Sequence, residues 1–204
     1  MLDRAAIALL RPALARAAAG LARTGLHADQ VTLAGFAVGM AAAVAIAMQH
    51  PLLGLAALLV SRLCDGLDGA LARLGTPTDR GAFLDISLDF VFYASIPLAF
   101  AVADPTANAL AAAVLLGAFV GTTSTFLAFA IIAAQRGLTS TAYPAKGIYY
   151  LGGLTEATET LTCFALMCVW PQHFAWFAFG FAALCVLTTV TRLWAGWSVF
   201  SEVP

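Results

Sequence analysis

The sequence predicts an all-α integral membrane protein, a bundle of six transmembrane helices preceded by an amphipathic juxtamembrane helix. Three observations lead there. Of 204 residues, 62% are hydrophobic and 10% charged, with a mean hydropathy of +0.91; a soluble domain carries about a quarter charged residues. The apolar residues gather in six runs, and a hydrocarbon core of about 30 Å needs roughly 20 helical residues per crossing. The Lys and Arg residues, Arg62 excepted, all fall on one side of the resulting topology. No stretch is long enough for a separate soluble domain.

Residues 1–24 place Arg4, Arg11 and Arg16 among Ala and Leu, with Pro12 interrupting. This pattern predicts a helix lying on the inner membrane surface, its Arg heads toward anionic lipid. The same arginines, with Arg23, break the run too often for a secretory signal peptide. Residues 25–204 then form the membrane domain. Asp29 is a plausible N-cap for the first span. The six spans are read at about 30–49, 51–74, 82–103, 107–134, 146–169 and 173–198. Turns at Gln49-His50-Pro51, Ala103-Asp104-Pro105 and Trp170-Pro171-Gln172-His173 lie on one side, free of Lys and Arg. The longer links near 75–81 and 135–145 lie on the other, with both termini. Arg4, Arg11, Arg16, Arg23, Arg73, Arg80, Arg136, Lys146 and Arg192 make that side cytoplasmic by the positive-inside rule. Cys64, Cys163, Cys168 and Cys185 sit singly in apolar stretches, with no CxxC, and read as packing residues.

The chemistry concentrates between Asp65 and Asp89, in DGLDGALARLGTPTDRGAFLDISLD. Ionised carboxylates beside membrane-spanning segments are expensive and mark a functional site. Asp65 and Asp68 are three apart, Asp85 and Asp89 four apart, so each pair shares a helix face. At about 1.5 Å per residue all four lie at one shallow level below the cytoplasmic surface. Four carboxylates so placed repel one another unless a cation intervenes, and hard divalent ions take oxygen ligands of this kind. Gly69 and Ala72 leave the helix without bulk there. They provide either room for a flat base or a helix-packing surface. Arg73 suits a diphosphate or a membrane-side anchor.

The spacing Asp65-x2-Asp68-Gly69-x2-Ala72-Arg73-x7-Gly81-x3-Asp85-x3-Asp89 resembles the signature of the CDP-alcohol phosphotransferases, integral membrane enzymes of phospholipid synthesis. The resemblance covers about 25 residues, with every signature position filled in order. It implies a metal-dependent phosphatidyltransferase in a bacterial inner membrane, its active site facing the cytoplasm. A CDP-activated lipid, CDP-diacylglycerol by this reading, would give its phosphatidyl group to a small alcohol and release CMP. Asp65, Asp68 and Asp85 would bind one or two Mg²⁺ or Mn²⁺ ions. Asp89 would take the proton from the attacking hydroxyl, and in some relatives it is also a ligand. Asp65, Gly69, Ala72, Arg73 and Gly81 would line the CDP site. The resemblance also implies a homodimer, and nothing suggests nucleic acid. Many relatives carry a Thr-Pro-Asn-x-x-Thr-like stretch before the first span; here only Thr32 is kept, and Asp29 replaces the Asn.

The acceptor is read from other polar residues. Arg136, Lys146 and Arg192, near the cytoplasmic ends of three spans, either clamp a phosphate or anchor the helices. The clamp points to a phosphorylated polyol such as glycerol phosphate or inositol phosphate. Glu156 and Glu159, deeper on the fifth span, either join Arg62 in a buried ion-pair network or serve an acceptor subsite. Two GxxxG patterns, Gly35/Gly39 and Gly117/Gly121, predict close helix contacts, within one subunit or between two. A second functional class, a divalent-metal transporter, would use the same carboxylates, but the deeper halves of spans two and three are nearly all apolar. An intramembrane aspartyl protease needs two Asp residues sharing a proton and fits four paired ones poorly.

Overall fold

The computed structural model describes residues 2–138 and 153–201, with side chains from Pro12 onward, and these residues form helices with no strand. The order is α1 (Leu2–Ala22), α2 (Ala28–Ala47), α3 (Pro51–Ala72), α4 (Asp79–Ala103), α5 (Pro105–Gln135), α6 (Ala157–Val169) and α7 (Phe174–Phe200), with a 3₁₀ turn at Pro171–His173 before α7. Local chemistry sets the ends. Pro51 and Pro105 open α3 and α5, where a missing N–H is harmless. Thr78 Oγ1 accepts from Gly81 N at 3.1 Å, and Asp104 Oδ1 from Ala107 N at 3.1 Å, capping α4 and α5.

Among the described residues, four helical segments are long and apolar enough to cross a membrane: Ala28–Ala47, Asp79–Ala103, Pro105–Gln135 and Pro171–Phe200. The remaining two expected spans differ from that pattern. α3 has 22 residues, but Arg62, Asp65 and Asp68 lie within it. α6 has 13 residues, because Gly153–Glu156 is not helical and Glu156 is the N-cap. The expected continuous span over 146–169 is therefore interrupted, and its first residues, with Lys146, lie outside the described residues.

Two other expectations are corrected. α1 continues through Pro12 rather than breaking there. It lies against α3, with Leu14 over Gly66 and Ala18 buried beside Ala70 and Leu71, while Arg16 is exposed. The side chains of Arg4 and Arg11 lie outside the described residues. Secondly, His27, not Asp29, is the N-cap of α2, and its N–H donates to Gln30 Oε1 at 3.0 Å. Gln30, three residues on, closes that turn. Asp29 is thus left to pair with Arg80 of α4, whose Nε donates at 2.7 Å.

The packing that positions the site is centred on α2, which contacts both α3 and α4. Lipid tails are as apolar as Leu, so close backbone approach replaces the hydrophobic drive between membrane helices. A Cβ on Gly35 would lie 2.7 Å from Cys64 Cβ, and one on Gly39 would lie 2.7 Å from Phe92 Cδ2 and 2.9 Å from Ser61 Oγ. Ser61, fully buried, donates to Gly35 O at 2.7 Å. The first GxxxG is thus an internal contact. In the second, Gly121 meets Thr189 of α7, while a Cβ on Gly117 would meet nothing within 4 Å among the described residues.

Away from the carboxylates the core is aromatic and aliphatic: Phe92, Ile96, Leu115, Phe164, Met167 and Phe174 are all fully buried. Phe100 stacks on Phe174 with ring centroids 4.6 Å apart, closing α4 onto α7. Asn108 Nδ2 donates to Phe100 O at 3.0 Å and ties α5 to the end of α4. On the outer surface of α7, Trp176 near one end and Trp194 and Trp197 near the other are 80%, 73% and 79% exposed.

Gly39→Val should destabilise the fold by about 1–3 kcal/mol through overpacking, and Gly117→Val should leave it unchanged. Thermal melting of the detergent-solubilised variants checks this; equal melting temperatures would refute the internal contact.

Candidate active site

The site begins where α3 ends and α4 begins. α3 carries Arg62, Asp65 and Asp68 on one face, and α4 carries Asp85 and Asp89 on another, one helical turn apart. α2, wedged against both, brings the two faces together. Asp65, Asp68 and Asp85 each offer a carboxylate oxygen, and the three oxygens lie within 4.8 Å of one another. Asp68 is buried, and its Oδ2 has no hydrogen-bond partner among the described residues. An orphaned buried carboxylate oxygen is costly, and a hard cation supplies the missing partner. The donor set fits Mg²⁺ or Mn²⁺.

Asp89 is set apart from those three by Arg62. Arg62 Nη1 lies 2.6 Å from Asp89 Oδ1 and 3.6 Å from Asp65 Oδ1. The guanidinium sits over the Phe92 ring at 4.2 Å and near the Tyr93 ring at 5.7 Å. Such stacking holds a cation between carboxylates without a long search of rotamers. The expected network of Arg62 with Glu156 and Glu159 is replaced by this one. The two glutamates instead close the start of α6: Glu156 N donates to Glu159 Oε2 at 3.2 Å, and Glu156 Oε1 accepts from Gly153 N at 3.3 Å. Acidic side chains at a helix N-terminus satisfy its orphan donors and complement its dipole.

Two spaces meet at Asp85 and Asp89. One is a niche of about 10 Å³ among Thr32, Ser61, Arg62, Asp65 and Asp68. The other is a cavity of about 680 Å³, which Asp85, Asp89 and Arg73 line at one part of the wall and Thr122, Thr155, Glu156 and Arg192 at another. Gly69 lies beside Arg73, where a Cβ would meet Arg73 Nη1 at 3.4 Å. Ala72 ends α3. A Cβ on Gly81 would lie 3.1 Å from Asp29 Oδ1 and 3.2 Å from Thr78 Oγ1.

Of the three cations expected at an acceptor site, the two that are described, Arg136 and Arg192, separate. Arg192 is buried in the cavity wall; its Nη1 donates to Thr122 O at 3.0 Å, and its guanidinium lies 5.6 Å from the Phe126 ring. Arg136, at the C-cap of α5, folds instead onto the end of α7. It donates to Phe200 O at 3.3 Å and lies over that ring. Lys146 lies outside the described residues. Sequence reasoning missed Thr122, Thr155, Thr160 and Tyr93 as cavity residues, because a hydroxyl inside an apolar helix reads equally as a backbone-bonded filler.

Comparison with known proteins agrees with this geometry. Over 197 residues the chain is 50% identical to the inner membrane protein YnjF of Escherichia coli K12, covering 97% of this chain and 96% of that one. A shorter stretch of 68 residues is 46% identical to the archaetidylinositol phosphate synthase of Methanothermobacter thermautotrophicus, a third of this chain and 35% of that one. Among solved structures, the phosphatidylinositol phosphate synthase PgsA1 of Mycobacterium tuberculosis with CDP-DAG bound superposes with a TM-score of 0.68. It is 25% identical and covers 94% of this chain and 98% of that one. The same enzyme with manganese and citrate superposes at 0.73 with 24% identity, a likeness of fold, covering 94% and 93%. The family model for CDP-alcohol phosphatidyltransferase matches residues 25–199, so the chain belongs to the CDP-alcohol phosphatidyltransferase family.

Proposed function

We propose that the chain transfers the phosphatidyl group of a CDP-activated lipid, CDP-diacylglycerol as in the mycobacterial relative, to the hydroxyl of a polar alcohol. The observation that carries this reading is the convergence of Asp65, Asp68 and Asp85 at one point, with Asp85 also on the wall of a cavity large enough for a substrate. Those three carboxylates would hold Mg²⁺ or Mn²⁺, which when bound offsets charge on the phosphoryl oxygens and on the departing CMP. Arg73, at the cavity wall beside Gly69, is placed to grip the diphosphate. Asp89 lines the cavity with 30% of its side chain exposed, and so can accept the proton of an acceptor hydroxyl. The acceptor oxygen bonds to the β-phosphorus, the bond from that phosphorus to the bridging oxygen breaks, and CMP leaves with the electron pair. A hydroxyl is a weak nucleophile until a base takes its proton. An ion-transport reading finds no support in the family match.

The acceptor we propose is a phosphorylated polyol. Arg192 supplies a buried cation for its phosphate, and Thr122, Thr155 and Glu156 supply partners for its hydroxyls. The clamp is narrower than the three cations the sequence suggested, because Arg136 is held on Phe200. The positive-inside bias further supports a cytoplasmic opening for the site and an N-terminal helix lying on that membrane face.

Purified protein given CDP-diacylglycerol, Mg²⁺ or Mn²⁺ and a panel of polyol phosphates should release CMP and form a lipid whose mass names the acceptor. No CMP with any acceptor would refute the activity. Asp65→Asn, Asp68→Asn and Asp85→Asn should each abolish turnover and weaken Mn²⁺ binding, whereas Asp89→Asn should lower kcat by about 10²–10⁴ and keep CDP-lipid affinity. Near-normal turnover in any of the first three variants would remove that residue from the metal set.

Arg192→Ala should raise the acceptor KM by about tenfold or more with little change in the CDP-lipid KM, consistent with loss of a charge-assisted contact. An unchanged acceptor KM would move the phosphate elsewhere. Cysteines introduced in the Ala103–Pro105 turn should react with membrane-impermeant maleimide from outside, and cysteines near Gly75 only from inside. The reverse pattern would overturn the orientation.

A further inference from the structure

The four carboxylates do not face the niche alone. Arg62 comes from the same α3 face as Asp65, three residues earlier, and its Nη1 stands between Asp65 Oδ1 at 3.6 Å and Asp89 Oδ1 at 2.6 Å. A pair of carboxylates from two helices with a cation between them is the arrangement in which a bridging metal would be sought. Here a side chain fills it. The guanidinium is held on several sides. The Phe92 ring lies 4.2 Å below, Tyr93 flanks it, Nη2 points to Ser61 Oγ at 3.4 Å, and only 12% of the side chain is exposed. Ser61 is in turn fixed on Gly35 O by a buried hydrogen bond. Moving Arg62 out would strip two carboxylates of their partner and empty a stacked position in the core.

We infer that the Arg62 guanidinium takes the place of a second cation between Asp65 and Asp89, so that the four carboxylates hold a single divalent ion through Asp65, Asp68 and Asp85. The inference rests on the metal reading of these carboxylates given above. Two further observations support it. The three oxygens that lie within 4.8 Å of one another exclude Asp89, the residue Arg62 engages most closely. On the side of the carboxylates where Arg62 lies, the niche has about 10 Å³ of space, the room of roughly one water-sized occupant. Charge agrees. Four carboxylates, one guanidinium and one divalent ion leave a single net negative charge. A second ion would reverse that sign and set a dication beside the guanidinium. Arg62 is then a positioning residue: it holds Asp89 out of the metal's coordination and toward the cavity, where its proton-accepting role is exercised.

The test is metal stoichiometry on the full chain in detergent. The protein is dialysed to equilibrium against Mn²⁺, the metal per chain is measured by elemental mass spectrometry, and electron paramagnetic resonance reports whether ions are coupled. Wild type should bind about one Mn²⁺ with an uncoupled spectrum, since paired sites lie about 3.5–4 Å apart and couple strongly. Arg62→Met keeps length and apolar packing on Phe92 but removes the charge. It should bind about two Mn²⁺ with a coupled spectrum, while Arg62→Lys stays at about one. Two coupled ions in the wild type would overturn the inference, as would a folded Arg62→Met that still binds one. If Arg62→Met does not fold, the wild-type count decides alone. No Mn²⁺ bound to the wild type would overturn the metal reading itself, along with this one.

Discussion

Negative charge gathered among apolar helices has to be neutralised in place, and the architecture follows from that requirement. Asp65, Asp68, Asp85 and Asp89 stand on α3 and α4, whose neighbours are hydrocarbon-rich helices. Desolvating one carboxylate without a partner is costly, and four together would drive the helices apart. Arg62 relieves two of them, and the remaining oxygens form a set suited to a hard cation. The charge that makes this region costly to fold is also the charge that gives it chemistry.

Neutralisation at short range requires short distances, and α2 provides them. Gly35 and Gly39 present bare backbone to α3 and α4, so Cys64, Ser61 and Phe92 come within contact of a helix axis. The bond from Ser61 to Gly35 O sits on the same face as Arg62. A bulkier stripe on α2 would separate the helices by more than a carboxylate can reach. The small residues, the buried hydroxyl and the stacked guanidinium therefore act as one unit, and α2 shapes the niche chiefly through the side chains it lacks.

The paired carboxylates were legible in the sequence because a spacing of three or four fixes a helix face regardless of tertiary context. A spacing of three also sets Arg62 on the face of Asp65, but the similar depth of Glu156 and Glu159 in their apolar run pointed Arg62 to those glutamates instead. Only the break at Gly153–Glu156 decides the matter, since it turns both glutamates into caps of α6. Arg136 and Arg192 looked alike as cations near span ends. They differ because α7 runs on to Phe200, leaving Arg192 two turns inside and against α5, while Arg136 ends its helix. Helices that are apolar on every face give no periodic signal of which side meets protein and which meets lipid. The cavity-lining hydroxyls were hidden because a hydroxyl in an apolar helix also reads as a filler bonded to its own backbone.

The exposed tryptophans of α7 carry a consequence for how substrate is found. Trp176 is separated from Trp194 and Trp197 by 18 and 21 residues, a rise of about 27–32 Å along a helix. That matches the hydrocarbon thickness, and indoles settle at the headgroup level on either side. Arg192 lies two residues inside the second of these belts, so the cavity it lines sits at the plane where lipid phosphates already reside. A lipid donor can then arrive by lateral diffusion with its acyl chains still in the bilayer. The encounter becomes a search in two dimensions, governed by surface density of the donor in the leaflet and not by its concentration in water.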